Sequence, residues 1–139
     1  MNGAIVIILI AIAVIGIALL VIAALTRGRG NLLDQEKYRM AWLDIENNLD
    51  KNNEGTYHFA ILAADKLLSQ ALKESGVAGD KTSERLENAK KKFSSFDQVL
   101  SAHKIRNQIA HEADIKIDLI VYRRALAAFK KALKELGAI

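Results

Sequence analysis

The stretch AIVIILIAIAVIGIALLVIAAL, residues 4–25, contains no charged side chain, and Gly16 alone interrupts its apolar residues. At about 1.5 Å per residue, a helix of roughly 20 residues crosses the hydrocarbon core of a bilayer. All 20 Lys and Arg residues and all 16 Asp and Glu residues follow this stretch. The sequence therefore predicts a transmembrane anchor over residues 1–26 that contacts membrane lipid through residues 4–25.

A cleaved signal peptide is the alternative for this stretch. Such peptides carry a basic N-terminal region, an apolar core of about 7–15 residues and a small-residue cleavage site. Here no Lys or Arg precedes the run, the run is longer, and Arg27 and Arg29 follow it. An anchor is therefore favoured. By the positive-inside rule, the two arginines predict a single-pass protein of the cell (inner) membrane with its C-terminal domain in the cytoplasm.

The remainder has the size of one small domain, residues 34–139, joined to the anchor by a linker over residues 27–33 that contains Gly28 and Gly30. Proline and cysteine are absent, and the apolar residues recur at helical spacing. The lack of cysteine suits a reducing compartment. The net charge of +4 permits contact with anionic lipid or nucleic acid without requiring either.

The domain divides into helices at recognisable capping residues. Asp34 is a suitable N-cap for the first helix, a second spans about 56–74 and ends before Gly76, Thr82 would cap a third, and Asp118 the last. Ser94 or Ser95 would cap the helix between them. The residues expected to face the core include Tyr38, Trp42, Ile61, Ala64, Leu68, Leu86, Phe93, Phe96, Val99, Tyr122, Phe129 and Leu133. The predicted fold is all-α: one transmembrane helix followed by an antiparallel bundle of four to five helices.

One segment combines polar residues that could carry chemistry: AHKIRNQIAHE, residues 102–112. Arg106, Asn107 and His111 form the pattern Arg-Asn-x-x-x-His near the end of the penultimate helix. This pattern, in a helical bundle, resembles the HEPN domain family over roughly residues 34–137. The resemblance implies a metal-independent RNA endonuclease in active members, or an RNA-binding or protein-interaction module in non-catalytic ones. It implies neither a metal nor another cofactor.

The residue types suit that chemistry. The imidazole of His111 titrates near neutrality and could move a proton to or from a ribose oxygen. Arg106 could hold a phosphate bidentately, and Asn107 could orient either group. On an ideal helix Arg106 points about 140° away from His111. The resemblance implies that two motifs meet across a dimer, so we expect a homodimer through the motif helix, with RNA as a partner.

Two neighbours of the motif, His103 and Lys104, are further candidate binding residues. His103 lies one turn from Asn107 on the same helix face. Its alternative role is helix packing. The basic run 90–92 could contact RNA phosphates or anionic lipid, although such residues more often form a solvated face.

A purely structural role for the motif is the alternative. Arg106 would then pair with Asp97 or Glu112, and His111 would interact with the negative end of the helix dipole. The chain would in that case be a non-catalytic subunit of a membrane-associated assembly.

Overall fold

The computed structural model describes residues 3–27 and 33–139. Helix α1, Gly3–Arg27, is the first element. Its segment Gly3–Ala23 is long and apolar enough to cross a membrane, and the side chains of that segment are not covered by protein. Arg27, the first residue of the predicted linker, is the last residue of α1. Residues 28–32 of that linker lie outside the described residues.

The chain then folds as a separate compact unit over Leu33–Ile139. Helix α2, Gln35–Asn47, begins after Asp34, whose carboxylate accepts a hydrogen bond from the Lys37 backbone N–H at 3.1 Å. This confirms the predicted N-cap, because a side-chain oxygen satisfies an N–H group that the first turn leaves free. Helix α3, Glu54–Glu74, starts two residues before the predicted bound.

Three shorter elements follow before the last helix. These are α4, Thr82–Asn88, a single 3₁₀ turn over Lys90–Lys92, and α5, Phe96–His111. The prediction that Thr82 caps α4 is wrong. Lys81 is the N-cap, and the Thr82 hydroxyl instead lies 2.8 Å from the Ser69 hydroxyl on α3.

Helix α6, Leu119–Glu135, closes the fold. Asp118 caps it by accepting from the Val121 N–H at 2.8 Å, as predicted. Gly137 follows it at φ +73°, a left-handed conformation that a residue without a Cβ adopts at no steric cost.

The described residues form an all-α bundle around α3, which packs against α2, α4, α5 and α6. Helices that follow each other run antiparallel: the start of α2 meets the end of α3 through Lys37 and Glu74, and the start of α5 meets the end of α6 through Ser94 and Glu135. Helices α3 and α6 run parallel, with Tyr57 and Tyr122 near their starts stacked 4.7 Å apart. The apolar stripes predicted for each helix supply the core. Its most deeply buried large side chains are Tyr38, Ile61, Leu68, Leu72, Leu86, Phe129 and Leu133.

A polar cluster fastens α2 to the C-terminal end of α3. The Glu74 carboxylate accepts from Lys37 Nζ at 2.9 Å, from Gln70 Nε2 at 2.9 Å and from the Tyr38 hydroxyl at 2.8 Å. Bonds from Lys37, Gln70 and Tyr38 favour the charged form and lower the pKa of Glu74 to about 2. Burial, followed by the bond to Glu74, raises the pKa of Tyr38.

This pKa shift makes stability depend on pH. Because the pKa of Glu74 falls from 4.5 to about 2 on folding, its contribution is complete above about pH 4.5 and is lost as the pH falls toward 2. We expect Glu74→Gln to lower the free energy of unfolding at neutral pH, and the difference from wild type to shrink through this window. Denaturant titrations at several pH values measure it. A difference that stays constant from pH 7 to pH 2 would contradict the assignment.

Candidate functional site

The stretch of α5 from His103 to its last residue, His111, carries all the candidate residues, with different exposures. His103 is buried, Arg106 and Asn107 are half-buried, and Lys104 and His111 are exposed. Val99 and Ala102 pack into the core on the same side as His103, and this packing sets which face of α5 is turned inward. One helix therefore presents a buried polar residue, two at the boundary and two in solvent.

The partner of the buried histidine is Asp65 on α3. Asp65 is only 2% exposed, and its Oδ1 lies 2.7 Å from Nδ1 of His103. It occupies the inner face of α3 between Ile61 and Leu68, where a carboxylate is stable only if it is paired or hydrogen-bonded.

Arg106 approaches the other oxygen of the same carboxylate. Its Nε is shielded from solvent and lies 3.3 Å from Asp65 Oδ2, an ion-pair contact in which the N–H is not aligned for a hydrogen bond. Nη1 of Arg106 donates to Asn107 Oδ1 at 3.0 Å. Nδ2 of Asn107 in turn lies 3.3 Å from His103 Nε2. Asp65, His103, Asn107 and Arg106 thus form a closed circuit of side chains, called here the polar ring.

Only one placement of hydrogens satisfies the polar ring. The Asp65 carboxylate only accepts, so Nδ1 of His103 must carry a proton. Arg106 only donates, so Asn107 turns its oxygen toward Arg106 and its amide N–H group toward His103. Nε2 of His103 therefore accepts and carries no proton. In this placement His103 is protonated on Nδ1 alone, and the charges of Asp65 and Arg106 balance.

The ring restrains Arg106 without burying it. The Nε edge faces Asp65 and one N–H of Nη1 is bonded to Asn107, yet the side chain is 37% exposed. Among the described residues, no protein acceptor takes the other N–H groups of the guanidinium. A fixed guanidinium with free terminal N–H groups is suited to an anionic ligand such as phosphate.

The two exposed candidates stand apart from the ring. His111 is the last residue of α5, and within the described ranges 3–27 and 33–139 its imidazole has no hydrogen-bond partner. Lys104 likewise has no ion-pair partner among those residues. The structure therefore brings Arg106, Asn107 and His103 together and leaves His111 and Lys104 free in solvent.

Neither Asp97 nor Glu112, the acids predicted to pair with Arg106 in a purely structural role, does so. The described residues place Asp65, rather than Asp97 or Glu112, beside the guanidinium. Helical spacing explains this result, because Asp97 and Glu112 are nine and six positions away in the sequence. Side chains on one helix meet at spacings of three or four.

Asp65 is the site residue that sequence reasoning missed. The available signal was a carboxylate set within the apolar stripe of α3, between Ala64 and Leu68. A carboxylate at such a position calls for a buried partner. The identity of that partner depends on how α3 and α5 pack, which the local pattern does not encode.

Other polar features lie elsewhere. Lys90 of the basic run stacks over the ring of Phe96, with Nζ 5.2 Å from its centroid. In the part of the chain that the structure describes, no group of three or more His, Asp or Glu residues is placed to hold a metal ion.

Fold and site together define a class: an all-α domain with a polar ring between α3 and α5, in a chain whose described residues include one helix able to span a membrane. No family model, curated protein or solved structure matches the chain.

Proposed function

We propose that the protein is a membrane-anchored, HEPN-like RNA-binding module that contacts RNA phosphates through the C-terminal half of α5. The observation that carries this proposal is that the Arg106 guanidinium is held in place and yet remains accessible. It is restrained by Asp65 and Asn107, while 37% of the side chain is exposed. A positively charged side chain that is held in place but accessible favours contact with the nucleic-acid backbone.

The proposed orientation places this surface in the cytoplasm. Helix α1 holds the chain in the membrane through residues 4–25, and Arg27 and Arg29 keep its C-terminal flank inside. The proposed location is the inner membrane of the cell, where RNA is accessible to the domain. Membrane lipid is thus the first partner and RNA the second.

RNA binding is measurable with the full chain in detergent micelles and a labelled single-stranded oligonucleotide. We expect Arg106→Gln to weaken binding about tenfold, because it removes a charge-assisted contact to phosphate. Arg39→Gln is the matched control, since it removes the same charge from an exposed position on α2. Equal affinities of the two variants, or no binding by wild type, would refute the RNA-binding proposal.

Metal-independent RNA cleavage is the second candidate function, favoured by the exposed and unpaired imidazole of His111. In this mechanism the ribose 2′-oxygen attacks the scissile phosphorus, and the bond from phosphorus to the leaving 5′-oxygen breaks to give a 2′,3′-cyclic phosphate. His111 either accepts the proton of the attacking 2′-hydroxyl or donates a proton to the leaving 5′-oxygen, and Arg106 stabilises charge on the scissile phosphate. The divergence of the two side chains on one helix means that the motifs of two protomers would have to combine.

Incubation of RNA with the chain in EDTA tests this candidate. Cleavage by wild type, and none by folded Arg106→Ala or His111→Ala, is the expected result. Intact RNA at concentrations where the chain is dimeric would exclude an endonuclease and leave a binding module.

A further inference from the structure

We propose that Asp65 and His103 are positioning residues that hold Arg106 ready for a phosphate ligand, although neither residue would contact the RNA. This inference rests on the proposed function, because it assigns to Asp65 and His103 the task of orienting the residue that binds.

Each member of the ring restricts the next. Asp65 is fixed by burial on α3, and it holds Nδ1 of His103 at 2.7 Å. His103 is 6% exposed, and its Nε2 orients the Asn107 amide at 3.3 Å. The amide oxygen then receives Nη1 of Arg106 at 3.0 Å. The position of Arg106 is thus determined from two sides, by Asp65 directly and by Asn107 through His103.

A restrained arginine binds anions better than a mobile one. A free arginine samples many rotamers, and binding a phosphate would freeze most of them. Here the ring has removed that freedom before the ligand arrives, so less entropy is lost on binding. The restrained edge is the Nε edge, which leaves the terminal nitrogens to face a ligand.

The arrangement requires neutral His103. If both ring nitrogens carried protons, Nε2–H would face the N–H group of Asn107, and two donors would oppose each other. If Asn107 turned its amide over, its N–H group would face the Arg106 donor instead. The ring therefore closes only with His103 protonated on Nδ1 alone.

Three substitutions test the contacts of the polar ring separately. Asp65→Asn keeps the size of the side chain but turns an N–H group or a neutral oxygen toward Arg106. His103→Asn can still donate to Asp65 but cannot reach Asn107. His103→Gln can present an oxygen to Asn107 near the position of Nε2. We expect Asp65→Asn and His103→Asn to weaken RNA binding roughly tenfold, and His103→Gln to restore part of the loss.

A control must separate positioning from general loss of stability. Leu133→Ala serves this purpose, because Leu133 is fully buried on α6 near the end that meets the start of α5, away from the ring. It should lower stability while leaving the RNA affinity of the folded protein unchanged.

Nuclear magnetic resonance of the full chain in micelles tests the geometry of the polar ring in the absence of RNA. We expect His103 to show a protonated Nδ1 and an unprotonated Nε2, and the shielded Nε–H of Arg106 to exchange slowly with water in wild type and rapidly in Asp65→Asn. An Nε2–H tautomer, an imidazolium, or equally fast exchange in both proteins would overturn the positioning role. The positioning role would also be overturned if folded Asp65→Asn bound RNA as tightly as wild type while Arg106→Gln bound it more weakly. If the Arg106 Nε–H exchanges slowly in wild type but wild type binds no RNA, the proposed function is refuted. Arg106 would then have no RNA ligand for which to be positioned.

Discussion

Asp65→Ala is expected to lower the free energy of unfolding by about 3 kcal/mol, since it leaves the buried Nδ1–H of His103 without an acceptor and removes the counter-ion of Arg106. The carboxylate is 2% exposed and contacts both His103 and Arg106. Without it, the Nδ1–H of His103 has no acceptor inside the protein. The expected loss lies at the lower end of the usual range, because Arg106 is 37% exposed and can turn toward water.

The measurement is a denaturant titration followed by the fluorescence of Trp42, the single tryptophan, which is buried in the core at 3% exposure. Asp44→Ala is the control, since Asp44 is exposed and has no ion-pair partner among the described residues. In the double variant Asp65→Ala/His103→Ala the two effects should not add, because the residues share one interaction. Additive effects would mean that Asp65 and His103 are not coupled, and a loss no larger than that of Asp44→Ala would mean that the ring contributes nothing to stability.

Phe129→Ala should have the largest effect on the fold itself, about 3–5 kcal/mol. Phe129 is fully buried on α6, the helix that packs against both α3 and α5. Truncation removes apolar surface from the core and leaves a cavity among neighbours that are fixed by their own helices. The loss is a large fraction of the stability of a domain of this size.

The same Trp42 titration measures this effect. Ile120→Ala is the matched control, because Ile120 lies at the start of the same helix with 62% of its surface exposed. We expect that control to change stability by less than about 0.5 kcal/mol. Similar losses for both variants would show that α6 is not held by its apolar face.

Local signals explain why the helices were predictable. The caps at Asp34 and Asp118 depend on a side chain meeting an N–H group three residues away, and the stop at Gly76 depends on a positive φ. Thr82 shows the limit of such signals. A threonine there fits a cap equally well, but packing against α3 gives its hydroxyl Ser69 as a partner instead.

The site was less predictable because it is made by tertiary contacts. The motif residues Arg106 and Asn107 lie close together in the structure because they are adjacent in the sequence. Asp65 lies 38 residues before His103, and only the packing of α3 on α5 brings them within hydrogen-bonding distance. The helical period predicts that His111 points away from Arg106, but it gives no reason for Arg106 to be held in place.

The central claim is that Arg106, held by the polar ring, contacts an RNA phosphate. Its most direct test is the salt dependence of RNA affinity for wild type, Arg106→Gln and Arg39→Gln. Each phosphate contact to single-stranded nucleic acid contributes about 0.7 to the slope of log affinity against log salt concentration. We predict that Arg106→Gln reduces the slope by about that amount and that Arg39→Gln leaves it unchanged. An unchanged slope for Arg106→Gln would show that this arginine does not touch the RNA backbone, and the account would be wrong.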